Sequence, residues 1–265
     1  MKIRYLPIPV MILLILTLGS GCVNVPNFTF SSAPLPIAAE FPNDNLDSAD
    51  LAYPPEVAEM IRNIVPAVVA IDAESCSLDA SGGPVTEQVS GSGWILNRDG
   101  FIVTSNHVVE GAKRVIVTLG DGQSYPAKNI QSDPIADLAV IDIGTSTLIS
   151  VAMGDSSKIA VGEGVIAIGN AMGKEIRATL GTISSTNSTF VIEDRKTYNN
   201  MLETTAPIAF GVSGGPLFNL NGEVIGIITG VNMTRYGAEV AGYAISSNVA
   251  LPLIQKLIGN DNLYK

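Results

Sequence analysis

Beyond residue 66 the chain advances in short apolar runs, each closed by a turn signal, and that rhythm restricts it to antiparallel strands. The first group of runs covers 67–71, 93–96, 101–104, 114–119 and 138–143, divided by turn pairs such as Asp99-Gly100 and Asp121-Gly122. The second covers 164–169, 181–185, 189–192, 215–219, 223–229 and 242–245, with Asn221-Gly222 as a hairpin turn between two of them. Charged residues are only 15% of the chain and glycines number 26, a mixture that suits tight turns and not long charged helices. With 46% hydrophobic residues the chain can fill a sizeable core. The expected fold is all-β: two antiparallel barrels of about six strands each, because closing a sheet removes its exposed edges. One strand of the first group is then missing an apolar signature. The break between groups falls near 145–155. Helices are expected only at the ends, over 57–64 before Pro66, and over about 250–258, where Leu253, Ile254 and Leu257 share a face and Gly259 is the stop. The polar interval 72–90, containing Gly82-Gly83-Pro84, reads as a long loop.

The N-terminus reads as an address. Lys2 and Arg4 precede an apolar run over 10–18, followed by Gly19-Ser20-Gly21 and then Cys22. The run is short for a membrane-spanning helix, which needs roughly 20 residues. A Cys directly after small residues resembles a bacterial lipoprotein signal, in which the Cys becomes the lipidated first residue of the mature chain; lipidation is therefore expected at Cys22. Gly19 stands where that motif prefers Leu, and Leu18 sits one place early. An uncleaved anchor and ordinary secretion are the alternatives. Residues 23–55 carry Pro26, Pro34, Pro36, Pro42, Pro54 and Pro55 and read as an extended tether. The expected location is extracytoplasmic, at a membrane surface.

Charge and cysteine content exclude other classes. The formal net charge is -10, and Lys2 and Arg4 lie in the leader, so the body is more acidic still and repels nucleic acid. With one histidine and two cysteines, no His/Cys zinc cluster of the usual composition can be assembled, and no metal or cofactor is expected. Cys76, in the polar interval, is left unpaired if Cys22 is lipidated.

Ser213 lies in Gly211-Val212-Ser213-Gly214-Gly215-Pro216-Leu217. Glycines on both sides allow a sharp turn and a close approach to a substrate carbonyl. Backbone N–H groups of Gly211, Val212 and Ser213 are the expected oxyanion donors. The same string is the nucleophile elbow of α/β-hydrolases, but there the catalytic His follows the Ser, and the sole histidine, His107, precedes Ser213. A His, Asp, Ser order is met by His107, Asp137 and Ser213. Taken alone, each has a plain reading: a Gly-rich turn, a surface histidine, an Asp capping a strand.

Together the segments resemble the HtrA/Deg proteases. The matching blocks are Gly91-Ser92-Gly93-Trp94-Ile95, Thr104-Ser105-Asn106-His107-Val108-Val109, Asp137-Leu138-Ala139-Val140, Gly154-Asp155-Ser156, Val161-Gly162 through Ala167-Ile168-Gly169-Asn170, the 211–217 string, Asn219-Leu220-Asn221-Gly222-Glu223-Val224-Ile225-Gly226 and Gly242-Tyr243-Ala244-Ile245. The resemblance covers about 55–257 and implies a trypsin-like domain over 56–259, with barrel 1 over about 56–145, barrel 2 over about 146–249 and the closing helix after it. It implies His107 as general base, Asp137 as its orienting carboxylate and Ser213 as nucleophile. It also implies a specificity pocket lined by Ile208, Thr229, Gly230, Val231 and Asn232; without an acidic residue there, a small apolar side chain before the cut bond is expected. Val212 stands where the family usually has Asn, Phe210 where Pro is common, and Thr205 where Asp is common. The chain ends at Lys265, so a protease without the PDZ modules of many family members is expected. The resemblance implies unfolded exported polypeptides as substrates and a homotrimer assembled through the N-terminal part. A surface-anchored holdase and an esterase-like hydrolase of the same fold are the rival functions.

Overall fold

The computed structural model describes residues 53–78, 84–192, 196–233 and 239–259; the leader, Cys22 and the tether up to residue 52 lie outside them. After helix α1 (Pro55–Ile64) and a 3-10 turn at Val65–Ala67, seven strands form the first sheet: β1 (Val68–Leu78), β2 (Pro84–Ile95), β3 (Phe101–Thr104), β4 (Arg114–Thr118), β5 (Ser124–Pro126), β6 (Asn129–Asp133) and β7 (Leu138–Asp142). A short helix α2 (Asn106–Val109) interrupts them after β3. The second sheet holds β8 (Gly164–Ala171), β9 (Glu175–Ile192), β10 (Lys196–Thr204), β11 (Pro216–Asn219), β12 (Val224–Met233) and β13 (Glu239–Ser246), and helix α3 (Ser247–Ile258) follows.

The second sheet is a closed six-stranded barrel in the order β10-β13-β12-β11-β8-β9. The first runs β5-β4-β1-β2-β3-β7-β6. Its two end strands are consecutive in the chain. The Ala127 N–H donates to Val115 O at 2.9 Å and the Lys128 N–H to Asp142 O at 2.8 Å, so the chain passes from the β4 edge to the β7 edge without a break. Counted as one bent strand, β5 and β6 curl the sheet onto itself and restore the expected six. This is the strand without an apolar signature: Asn129-Ile130-Gln131-Ser132-Asp133 presents mostly polar side chains.

Strands with continuous apolar runs are those buried on both faces. In β7, Ala139 and Ile141 enter the core of the first barrel, while Leu138 and Val140 face the second. In β8, Val165 and Ala167 fill the second barrel, while Ile166 and Ile168 face the first. The layer between the barrels also takes Ile61 and Ile64 of α1 and Ala250 and Ile254 of α3. Each fully buried Ile or Leu contributes about 1.5–3 kcal/mol. Trp94 is wholly buried in that layer, and its indole N–H finds no hydrogen-bond partner among the described residues.

Three expectations of local structure change. The 72–90 interval is not a loop: β1 and β2 stay paired from Val68↔Trp94 out to Leu78↔Pro84. Residues 85–90 are exposed along their whole length, and a ribbon solvated on both faces carries no apolar alternation to betray it. The two runs at 181–185 and 189–192 belong to one 18-residue strand, β9, and its partner β10 was not legible because Lys196-Thr197-Tyr198-Asn199-Asn200 lacks an apolar period. Both helices start earlier than expected: α1 at Pro55, whose ring suits the first helical position, and α3 at Ser247. Gly259 ends α3 in the left-handed region (φ 65°), as its position suggests. The Tyr53 hydroxyl donates to Ala178 O at 3.1 Å, and burial raises its pKa above the ordinary phenol value.

Candidate active site

His107 sits in α2, directly after β3 rather than at its end. The helix packs on Gly91, where an added Cβ would lie 2.5 Å from Val108 Cγ1. Asp137 ends the β6–β7 turn and is 2% exposed. It accepts from this segment at three atoms. The His107 Nδ1–H donates to Oδ2 at 2.8 Å, the His107 backbone N–H to Oδ1 at 2.9 Å, and the Asn106 N–H to the Asp137 carbonyl at 3.1 Å. An ionised carboxylate is acceptor-only, so in the neutral imidazole this contact puts the proton on Nδ1 and leaves Nε2 its lone pair. The imidazole is 41% exposed, open on the side away from Asp137. Asp137 adopts φ 57°, a left-handed conformation that Asp and Asn tolerate better than other side-chain-bearing residues.

Ser213 lies in the turn that precedes β11. Its carbonyl accepts the Ser92 N–H at 2.8 Å, and its neighbour Gly214 donates to Ile228 O at 2.7 Å. Gly214 is at φ 83°, and a Cβ there would fall 2.2 Å from Thr104 Oγ1 and 2.8 Å from Ser105 N. Only glycine lets this turn press against the segment that carries His107. The Ser105 hydroxyl donates to the same Ile228 carbonyl at 3.3 Å. The structure thus brings the Ser213 turn and the His107 helix to one junction. Among the described residues the Ser213 hydroxyl makes no hydrogen bond to the imidazole; such bonds are commonly loose in unliganded sites and tighten around substrate.

The main chain around Gly211 is held from behind. Phe210 O accepts the Met172 N–H at 2.6 Å, and Gly211 O accepts the Ser92 hydroxyl at 2.6 Å. Of the three expected donors, Val212 does not qualify. Its N–H donates to Ala209 O at 3.2 Å, which closes the turn and spends it. The N–H groups of Gly211 and Ser213 donate to nothing among the described residues. The Val212 side chain is buried with Ile208 and Leu217 in the second barrel, and an added Cβ at Gly169 would meet its Cγ1 at 2.9 Å. Val212 is therefore an apolar anchor for the loop. The Thr205 hydroxyl accepts the Thr182 N–H at 3.0 Å, tying the chain leaving β10 to β9.

The expected pocket residues divide. Ile208 is buried against Gly242, where an added Cβ would meet its Cγ1 at 2.6 Å. Thr229 and Gly230 lie in β12 just past Ile228, and Val231 packs on the second barrel's core. Asn232 pairs through its backbone with Ala241, and its side chain lies outside the described set. Over Gly230 sits Phe190, its Cζ 2.5 Å from where a Cβ would be, stacked on Tyr243 with ring centroids 4.7 Å apart. Sequence reading missed Phe190, which lies far off in the chain on β9. Cys76 is a free, exposed thiol on the ribbon. An open concavity of ≈ 530 Å³, lined in part by Met153, Asp155, Lys158, Leu220 and Glu223, includes none of the expected site residues. Among the described residues no group of three His, Cys, Asp or Glu side chains is placed to hold a metal ion, and no helix is long and apolar enough to cross a membrane.

The block Gly154-Asp155-Ser156 has a structural use. The Asp155 carboxylate accepts from Ser157 N–H at 3.1 Å, Ser157 Oγ at 2.6 Å and Asn248 Nδ2 at 2.8 Å, and the Ser247 hydroxyl donates to Gly154 O at 2.7 Å. These bonds moor the start of α3. Hydrogen bonds from Ser157, then Asn248, hold the Asp155 carboxyl well below the usual carboxylate range.

Residues 91–227 match the family model of the trypsin-like peptidase domain. The Serine protease Do-like HtrB of Bacillus subtilis (strain 168) is 38% identical over 232 residues, covering 82% of this chain and 50% of the relative. The Periplasmic pH-dependent serine endoprotease DegQ of Escherichia coli (strain K12) is 34% identical over 245 residues, covering 86% and 53%. Among solved structures, the HtrA-type protease AlgWS227A with decapeptide superposes with a TM-score of 0.70 at 30% identity, covering 77% of this chain and 67% of that one. The chain spans about half the length of these two curated relatives.

Proposed function

Since the chain belongs to the HtrA/Deg family of trypsin-like serine proteases, we propose that it is a serine endopeptidase working through His107, Asp137 and Ser213. The observation that carries this reading is the three-point hold of Asp137 on the His107 segment, beside a serine turn with two unspent main-chain donors. In the reaction, Nε2 of His107 takes the Ser213 hydroxyl proton as Oγ attacks the scissile carbonyl. The resulting oxyanion is received by the N–H groups of Gly211 and Ser213, a contribution of about 2.7–4 kcal/mol for each donor in comparable sites. Asp137 stabilises the imidazolium, which passes its proton to the leaving amine as the acyl-enzyme forms. Water, deprotonated by the same Nε2, then releases the acid and restores Ser213.

Among the described residues, the edge of β12 beyond Ile228 has no strand partner on its β11 side, and it supports pairing with the residues before the scissile bond. Ile208 packed on Gly242, and the absence of any acidic side chain at Ile208, Thr229, Gly230 and Val231, favour a small apolar residue at the cut. Unfolded exported polypeptides are the proposed substrates and the outer side of a membrane the proposed location, held there by lipid on Cys22; the periplasmic relative supports the compartment. A homotrimer is the proposed assembly.

Incubation with unfolded casein beside a Ser213→Ala variant tests the activity. Cleavage by the wild type alone is expected, with a fluorophosphonate probe attached to Ser213 and lost in His107→Ala. Suppressed aggregation without cleavage in both forms would leave a holdase, and ester turnover with proteins untouched would leave the esterase.

A further inference from the structure

The protease reading leaves the buried side chain of Ser92 without a task. Ser92 is 0% exposed, yet all its polar groups are engaged across three segments. Its N–H donates to Ser213 O at 2.8 Å, and its carbonyl accepts the Thr104 hydroxyl at 2.6 Å. Its hydroxyl donates to Gly211 O at 2.6 Å and accepts the Asn170 N–H at 2.7 Å. Thr104 ends the strand that leads to His107, and Asn170 belongs to β8 of the other barrel.

Peptide groups are planar and trans, so a carbonyl tied down on one side turns the N–H of the same group to the other. Two successive peptides flank the Cα of Gly211. In the first, the Met172 N–H takes the carbonyl of Phe210, which turns the Gly211 N–H outward. In the second, the Ser92 hydroxyl takes the carbonyl of Gly211, and Ala209 O takes the Val212 N–H. With both planes fixed, Gly211 is confined near its φ of 89°. Without the Ser92 hydroxyl that plane is held only by the longer Val212 N–H bond to Ala209 O at 3.2 Å, and a rotation that breaks it turns the Gly211 carbonyl toward the space where an oxyanion forms, where it would repel negative charge.

From this geometry we infer that Ser92 is a positioning residue for the reaction: its hydroxyl, acting through the Gly211 carbonyl, holds the oxyanion donors in their working orientation. The inference rests on the protease reading. It predicts damage to the transition state and little to substrate binding.

The test measures kcat and KM on a fluorogenic peptide, inhibition by a peptide boronate, and thermal melting, for wild type, Ser92→Ala and Ser92→Thr. Ser92→Ala is expected to lower kcat by about tenfold to a hundredfold, less than outright removal of a donor, with KM within about threefold. Boronate affinity should fall by the same factor as kcat, since the tetrahedral adduct needs the same donors. Ser92→Thr, which keeps the hydroxyl, should recover most of the loss. If Ser92→Ala melts below the assay temperature, Ser92→Cys, close in size and a weak donor, is measured instead, and the same split is expected at smaller size. An unchanged kcat, or a fall in kcat with boronate affinity intact, would overturn the inference. A wild type that neither cuts the peptide nor takes the fluorophosphonate would instead overturn the protease reading itself.

Discussion

The first barrel contributes to the site with side chains and the second largely with main chain. In the first, an imidazole and a carboxylate hold one another, and Asp137 also captures two backbone N–H groups of the short helix that carries the imidazole, that of His107 on its carboxylate and that of Asn106 on its main-chain carbonyl. In the second, apart from the Ser213 hydroxyl, the groups proposed to work are peptide N–H donors, and their loop is braced from behind. Residue identity is therefore tightly constrained in one half. In the other, it is constrained only through geometry, which is how Val212 can replace the family's usual Asn.

The contrast is most exposed to test at Asp137. Asp137→Asn keeps the shape and tolerates the same left-handed backbone but reverses the hydrogen-bond requirement at Nδ1. A fall in kcat of about 10⁴-fold is expected, read by steady-state kinetics with folding checked by circular dichroism. A fall below about tenfold would mean that the first barrel does not depend on this pair. A far smaller kinetic effect is expected from Val212→Ala, whose side chain packs in the second barrel while the donors are main-chain groups. Stability should drop by about 1–3 kcal/mol in denaturant melts, with kcat within about fivefold of wild type. A large kinetic loss at unchanged stability would show that side-chain identity matters in the second half too.

The smallest effect belongs to Asp155, whose role is outside the site. Its pKa is depressed in the folded state by the hydroxyl and amide of Ser157 and by Asn248. A depressed carboxylate stabilises the fold above its unfolded pKa of about 3.9, and that contribution is lost as pH falls below it. Wild type and Asp155→Asn should therefore differ modestly in melting temperature at neutral pH and converge as the buffer is taken below about pH 4. A gap that persists unchanged in acid would remove the carboxylate charge as its source.

How much of this was legible in sequence follows the same division. His107, Asp137 and Ser213 were singled out by chain order and flanking residues as candidates, and apolar runs marked β3, β7, β8 and β12 because those strands are buried on both faces along most of their length. Strands facing water carried no such mark: β5, β6 and the outer β1–β2 ribbon are largely polar, which looks the same in a strand and in a coil, and the polar start of β10 hid a strand whose Tyr198, Met201 and Leu202 are buried. Ser92 stood within a recognised block, yet its four hydrogen bonds depend on tertiary neighbours up to 121 residues away, and no local pattern encodes that. Val212 failed as a donor for a similar reason, since the Ala209 carbonyl that takes its N–H is visible only once the turn is built.

One carbonyl oxygen, that of Ile228, receives both the Gly214 N–H and the Ser105 hydroxyl. An oxygen with two lone pairs can serve two donors at once. It thus acts as a shared benchmark for surveying both halves: thermal drift of that strand carries the neighbour of Ser213 and the approach to His107 in the same direction. Their separation should then fluctuate less than the position of either, so alignment can survive in a molecule whose two barrels breathe.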